Sequence, residues 1–308
     1  MNHDQKLIGD TLRNLPQPPG KVQLMHVYVD GTLRNFRTKD RTWPSKEVKV
    51  DDLELLEFCG SATDFDVGDL ADYYAKPIKF YNDPFRGGNN KLVFCETYSR
   101  EGLPTFANNR YRLGAAKNSL EHRIQNYTFQ QSYTITRKNG KLLSYNNSAY
   151  DSDSKADFCC GREIDQAFYK ACLYAGVNLT SSECVDSLGK WQFTIGPLSE
   201  VDMCDDVWMS RFLLTRVAED FGVVANFETS KTNGVTPNSS ALLLKTDTVI
   251  PDERLRIQDA LLCQFILKET KHLKIQSRQH NILISDLNAD IDPYSIVTKV
   301  LEALNSPS

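Results

Sequence analysis

The residue types that could carry chemistry are present in this chain, but their spacing builds no familiar reactive centre. The five histidines (His3, His26, His122, His272 and His280) stand far apart, with no HExxH, GxSxG or P-loop pattern around them. His26 falls in an apolar run, where a core histidine with its hydrogen bonds satisfied is expected. The eight cysteines (Cys59, Cys95, Cys159, Cys160, Cys172, Cys184, Cys204 and Cys263) never form CxxC. They read as buried thiols of a reducing compartment rather than a zinc site. A nucleophilic pair between Cys59 and a histidine is left open by the sequence. Gly87-Gly88 reads as a turn rather than a phosphate cradle. Arg34, Arg37, Lys39 and Arg41 form the densest basic stretch, and a solvated strand face is the plain reading. The sequons at Asn126, Asn146, Asn178 and Asn238 read as chance matches.

The elements that must position any site are those of an ordinary globular protein. The 308 residues are 41% hydrophobic and 25% charged, with a net charge of −4. That balance disfavours an electrostatic nucleic-acid binder. The N-terminus lacks the apolar core of a secretory signal, and no run of about 18 apolar residues occurs, so a cytoplasmic protein without a membrane span is expected. Residues 1–20 end in a Pro-Gly-rich breaker and read as a flexible arm. Val22 to Val29 reads as a strand, with Asp30-Gly31 as a hairpin turn into a second strand from Leu33 to Trp43. Ile78–Tyr81 and Lys91–Tyr98 add short strands. Ile164, Ala167, Phe168, Ala171 and Cys172 share one helical face, closed by Gly176. Asp205-Asp206 is expected to precede a helix through Phe221, with Leu213, Val217 and Phe221 as its apolar stripe. Residues 190–195 and 222–228 look like strands, 254–272 and 296–304 like helices, and 144–155 and 229–240 like polar loops. The order suggests an α+β arrangement.

Several segments resemble glutamine synthetases of the eukaryotic type: KVQLMHVYVDGT, NDPFRGGNNKLVFCET, GREIDQAFYKACLYAG, KWQFTIGP and VWMSRFLLTRVAEDFGVVANF, in family order from Lys21 to Phe227. Asp292-Pro293-Tyr294-Ser295 resembles the opening of the family's final helix. The resemblance implies a β-grasp domain over 21–102 and a catalytic-type α+β domain over 103–308. The latter is shortened between 280 and 292, where the family carries its last carboxylate ligand and several arginines. It also implies a metal-lined funnel completed between subunits of a ring.

Glutamine synthesis phosphorylates glutamate from ATP, then lets ammonia displace the phosphate, and Mg²⁺ or Mn²⁺ held by carboxylates must neutralise the phosphate oxygens. Where the family reads Glu-Gln-Glu-Tyr this chain reads Gln130-Gln131-Ser132-Tyr133, and Trp-Glu-Phe becomes Trp191-Gln192-Phe193. Asn238 takes the place of a histidine ligand, and Cys59 that of an aspartate which helps bind ammonium. Glu183, beside a longer loop (Cys184–Lys190), matches the remaining family glutamate as a remnant metal ligand. A carboxylate attracts a unit cation about 4 Å away by roughly 4 kcal/mol at an effective dielectric near 20, so losing three of them outweighs any ordinary compensation.

The expectation is therefore a non-enzyme relative of glutamate–ammonia ligase, acting as a silent subunit or scaffold. It has no catalytic residues and no cofactor, and only weak residual binding of Mg²⁺, Mn²⁺ or ATP is conceivable. Its partners would be itself, a glutamine synthetase paralogue or another protein, and neither nucleic acid nor membrane. The alternatives are a sensor of ATP or glutamate and a residual ligase.

Overall fold

The computed structural model describes residues 11–12, 15–44, 47–65, 72–118, 124–143, 160–186, 189–228, 237–246, 274–278 and 281–305. The chain divides into two compact units. The first comprises Met1–Asn108 with Tyr174–Gly176, and the second Asn109–Leu173 with Val177–Ser308. The architecture is mixed α+β.

The first unit is a five-stranded sheet built from β1 (Val22–Val29), β2 (Phe36–Trp43), β3 (Leu56–Cys59), β4 (Asp72–Asn82) and β5 (Lys91–Ser99), in the order β2-β1-β5-β4-β3. β1 runs parallel to β5 and the other pairs are antiparallel. Alternation in β1 turns Val22, Leu24 and Tyr28 into a core shared with Leu56, Phe58, Phe65, Ala75, Val93 and Cys95. His26 lies on that same face, 1% exposed, but neither ring nitrogen makes a hydrogen bond. The expected satisfied histidine is thus a buried, unsatisfied one.

Asp30-Gly31 does not make the two-residue turn that its sequence suggests. Val29 pairs with Phe36, so residues 30–35 form a longer connection, with Leu33 at φ 58°. Gly31 is required for a different reason: a Cβ there would stand 1.9 Å from the carbonyl oxygen of Asp64.

The second unit holds a seven-stranded sheet. β6 (Ile124–Arg137), β7 (Leu179–Asp186), β8 (Lys190–Leu198), β10 (Ser239–Thr246), β11 (Lys274–Arg278) and β12 (Asn281–Asn288) follow the order β11-β12-β10-β6-β8-β7, and β9 (Val223–Asn226) pairs with the far end of β6. The helices described are α1 (Asn109–Asn118), α2 (Arg162–Ala175), α3 (Glu200–Asp220) and α4 (Pro293–Asn305). α2 buries Ile164, Phe168, Ala171 and Cys172, and stops at Gly176 with φ 89°.

Several readings change here. The segment between His280 and Asp292 forms β12, which pairs with β10. Cys184 lies within β7 rather than in a loop, and Ser239 begins β10. α3 starts at Glu200, capped by the Ser199 hydroxyl accepting from the Asp202 amide, so Asp205 and Asp206 lie buried inside it. Their charges are answered in place: Asp205 accepts from Arg110 Nε at 2.9 Å and from Tyr294, and Asp206 accepts from the Asn178 amide at 2.9 Å. Phe221, the expected end of the apolar stripe, is 45% exposed while Leu213 and Val217 are buried. The helix expected over 254–272 and the loop over 144–155 lie outside the described residues.

Candidate functional site

β6 is the hinge of the site because its two faces do different work. Tyr127, Phe129, Gln131, Tyr133 and Ile135 are all buried on one side. There α3 packs against β6 and β8, and Tyr133 meets Phe168 of α2 at 6.4 Å between ring centroids. The alternate residues Gln130, Ser132 and Thr134 point to the opposite side.

On that opposite side the strand register sets the sequence-derived positions in a row. Ser132 pairs with Gln192, and Gln192 pairs with Glu183. Directly paired residues share a face, so the three side chains stand abreast on β6, β8 and β7. Gln192 Nε2 donates to Glu183 Oε1 at 3.1 Å. Ser132 is committed to the backbone: its Oγ donates to the Ser239 carbonyl at 2.8 Å and accepts from the Ser239 amide at 2.7 Å. Gln130, two residues along β6, is half-buried between Thr194 and Ala241.

Asn238 joins the same side from the start of β10. It is 3% exposed, and its Nδ2 donates to Thr134 Oγ1 (3.2 Å) and to the carbonyls of Asn226 (3.0 Å) and Glu228 (3.1 Å). Its Oδ1 has no partner. Gln130, Ser132, Gln192, Glu183 and Asn238 therefore converge, although they are spread over more than a hundred residues of chain.

Cys59 belongs to the first unit, at the end of β3. It is exposed, where a buried thiol was expected, while Cys95, Cys172 and Cys204 are buried. Its Sγ lies 3.1 Å from Ser61 Oγ, and that hydroxyl, followed by the backbone amides of Ala62 and Ser61, pulls the thiol below its ordinary range. Burial pushes Cys172 and Cys204 the other way.

The row does not fit a divalent-cation cluster. Hard cations need several oxygen ligands, mostly carboxylates. Glu183 is the row's one carboxylate, and among the described residues no three of His, Cys, Asp and Glu gather.

Two buried networks escaped the sequence reading. Asp165 accepts from Tyr133 at 3.0 Å and from Ser182, and burial raises its carboxyl above the usual range. Arg211, 3% exposed, donates to Gln131 Oε1 and to the carbonyls of Ala289 and Ile291. The one available signal was an arginine inside the apolar run of α3.

Sheet, helices and polar row define an α+β protein whose second unit displays a largely uncharged row across β6, β8 and β7. Comparison with known proteins makes this more particular. Proteins named glutamine synthetase from Rattus norvegicus and Panulirus argus are each 34% identical to it, over 234 and 230 residues. These matches cover 74% and 72% of this chain, and 62% and 64% of theirs. A probable glutamine synthetase of Caenorhabditis elegans is 33% identical over 226 residues, covering 71% of this chain and 62% of its own. No family model matches the chain. The chain is a relative of the glutamine synthetase family, and it spans a little under two thirds of the length of the curated relatives it matches.

These names correct one expectation. The reading of the chain as no enzyme conflicts with these relatives, which are named for an enzyme. No helix among the described residues is long and apolar enough to cross a membrane.

Proposed function

We propose that this glutamine synthetase relative acts through binding and assembly, joining copies of itself or a glutamine synthetase paralogue. One observation carries the reading. The residues abreast on the row are a buried Ser132, a half-buried Gln192 and an exposed Glu183, and Ser132 is spent on the Ser239 backbone. The packing beneath that row is nonetheless complete: Tyr133, Phe168 and Phe193 are fully buried. A scaffold kept at this packing quality suits a protein used for its shape. On this reading the first unit is the β-grasp domain that the resemblance implies, the protein is cytoplasmic, and Glu183 is the remnant of a metal site.

Native mass spectrometry of the chain from its own source tests this. The expected species are multiples of the 35.0 kDa chain, alone or with a second family member. A monomer that never carries a partner overturns the proposal.

Glutamate–ammonia ligase activity is the second reading, favoured by the names of the relatives. A γ-glutamyl transfer assay with Mn²⁺ decides it. Turnover lowered by Glu183→Gln supports ligase chemistry at the row, and turnover indifferent to it counts against that location.

A further inference from the structure

His26 belongs to the first unit and has an environment that the proposed function does not use. It is 1% exposed inside the first unit, with neither ring nitrogen hydrogen-bonded. The neighbours that register places on its face are mostly cationic or apolar. Across the antiparallel ladder, Leu24, His26 and Tyr28 pair with Arg41, Lys39 and Arg37. On the other flank His26 pairs with Val93 of β5, and Leu24 with Lys91. Cys95 is buried beside Val93 and Tyr28 is pushed up to about 12 by burial, so both stay neutral near pH 7.

Acidic compensation is weak. Asp40, the one carboxylate among the described residues that acts on the ring, pairs with Met25 on the opposite face of the ladder and lies 2.9 Å from Arg86. Asp30 and Asp64 are engaged with Arg37, each at 3.5 Å. Glu57 of β3 is exposed.

The same basic residues fasten the two edges of the sheet. Lys39 Nζ donates to the Glu57 carbonyl of β3 at 3.2 Å, and Arg37 reaches Asp64 just beyond β3. Tyr28 stacks on Phe58 of β3 at 4.6 Å between centroids. The outer strands β2 and β3 thus meet over the core that holds His26.

We propose that His26 is an acid-sensitive latch, whose protonation releases β2 from the edge of the first unit. Burial and Arg41 hold the ring below its ordinary value of 6.5, and the nearby carbonyls of Lys39 and Leu24, which fall short of good hydrogen-bond geometry, and the Asp40 carboxylate only partly offset them. The sign follows. A freed ring takes a proton below pH 6.5 while the closed form refuses it, so closure is fully stable above that pH and weakens as pH falls. One linked proton opens the latch by at most about tenfold per pH unit.

Hydrogen–deuterium exchange of the full chain between pH 7.5 and pH 5.5, corrected for intrinsic exchange, reads this directly. Peptides spanning 22–43 should lose protection by up to about tenfold per pH unit below 6.5, while α3 keeps its protection. His26→Phe should abolish that pH dependence. If that variant does not fold, Lys39→Gln and Arg41→Gln, which keep the ring but remove a facing cation, should shrink the loss and make it level off at a higher pH, because a closed form that takes the proton more readily is weakened less by it. Wild-type protection that ignores pH overturns the latch, as does an unchanged loss in His26→Phe or in both surface variants.

Discussion

Arg211 of α3 and Gln131 of β6 are joined twice, through Nε at 3.1 Å and Nη2 at 2.6 Å, both to the single amide oxygen Oε1. Nη2 also reaches the carbonyls of Ala289 (3.2 Å) and Ile291 (2.9 Å), and the guanidinium lies 5.0 Å from the Trp208 ring. Burial lowers Arg211 to about 10, so it remains a cation at neutral pH. The buried charge thus donates to neutral oxygens, with the Asp292 and Asp290 carboxylates favouring it from nearby, and it ties the central strand to the turn before α4.

Replacing Gln131 with Leu removes the main acceptor and leaves the cation under-solvated. Hydrogen bonds to charged groups contribute about 1.5–3 kcal/mol. For a unit of this size that corresponds to a fall in Tm of roughly 3–12 °C, read by circular dichroism. An unchanged Tm would show that the two backbone carbonyls suffice.

Gln192→Glu would set a second carboxylate against Glu183 in place of the present 3.1 Å hydrogen bond. Like charges so close raise the carboxyl value of the pair. That contribution is present below the unfolded value and lost as pH rises through the raised folded one. The variant should therefore be less stable than wild type at pH 8 and close to it at pH 4, by about 1 kcal/mol or less because Glu183 is exposed. Mn²⁺ should raise the variant's Tm more than the wild type's. Equal shifts with Mn²⁺ would argue that this row cannot gather a cation.

Among the described cysteines, Cys59 should react first with iodoacetamide at pH 7. It alone of the six is exposed, and Ser61 and the neighbouring amides favour its thiolate. Peptide mapping by mass spectrometry checks this, with Cys95, Cys172 and Cys204 labelled only after denaturation. Faster labelling at any of those three would contradict the burial pattern.

Gly31→Ala should destabilise the first unit, since its methyl would meet Asp64 backbone at 1.9 Å and the loop would have to move. Overpacking typically costs about 1–3 kcal/mol, and the upper end is expected because the obstacle is main chain. Urea denaturation followed by Trp43 fluorescence provides the measurement, and a midpoint equal to wild type would refute it.

Local pattern made much of this legible. Strand alternation in Val22–Val29 and helical spacing from Ile164 to Cys172 are properties of neighbouring residues, and the elements formed where they indicate. The Gln130, Ser132 and Gln192 substitutions could also be read as losses of charge. Their neighbourhood could not, because it depends on pairing between strands far apart in the chain. Cys184–Lys190 reads as a loop when set beside the family pattern, yet tertiary pairing with β8 draws Cys184 into β7. Asp205-Asp206 suggests a helix start, because exposed acids favour that position. Arg110 and Tyr294 override that preference by answering Asp205 inside the core.

The sequence by itself determined the chemical inventory: which side chains can carry charge, which segments alternate or turn, and the family they resemble. Only the tertiary structure decided which groups face one another. It set Ser132, Gln192 and Glu183 abreast, placed His26 under a row of cations, and left Arg211 on a neutral amide. The physical reason is one of range. Backbone preference and periodicity act over a few residues, whereas burial, register and charge pairing are settled by segments that meet only when the chain has folded.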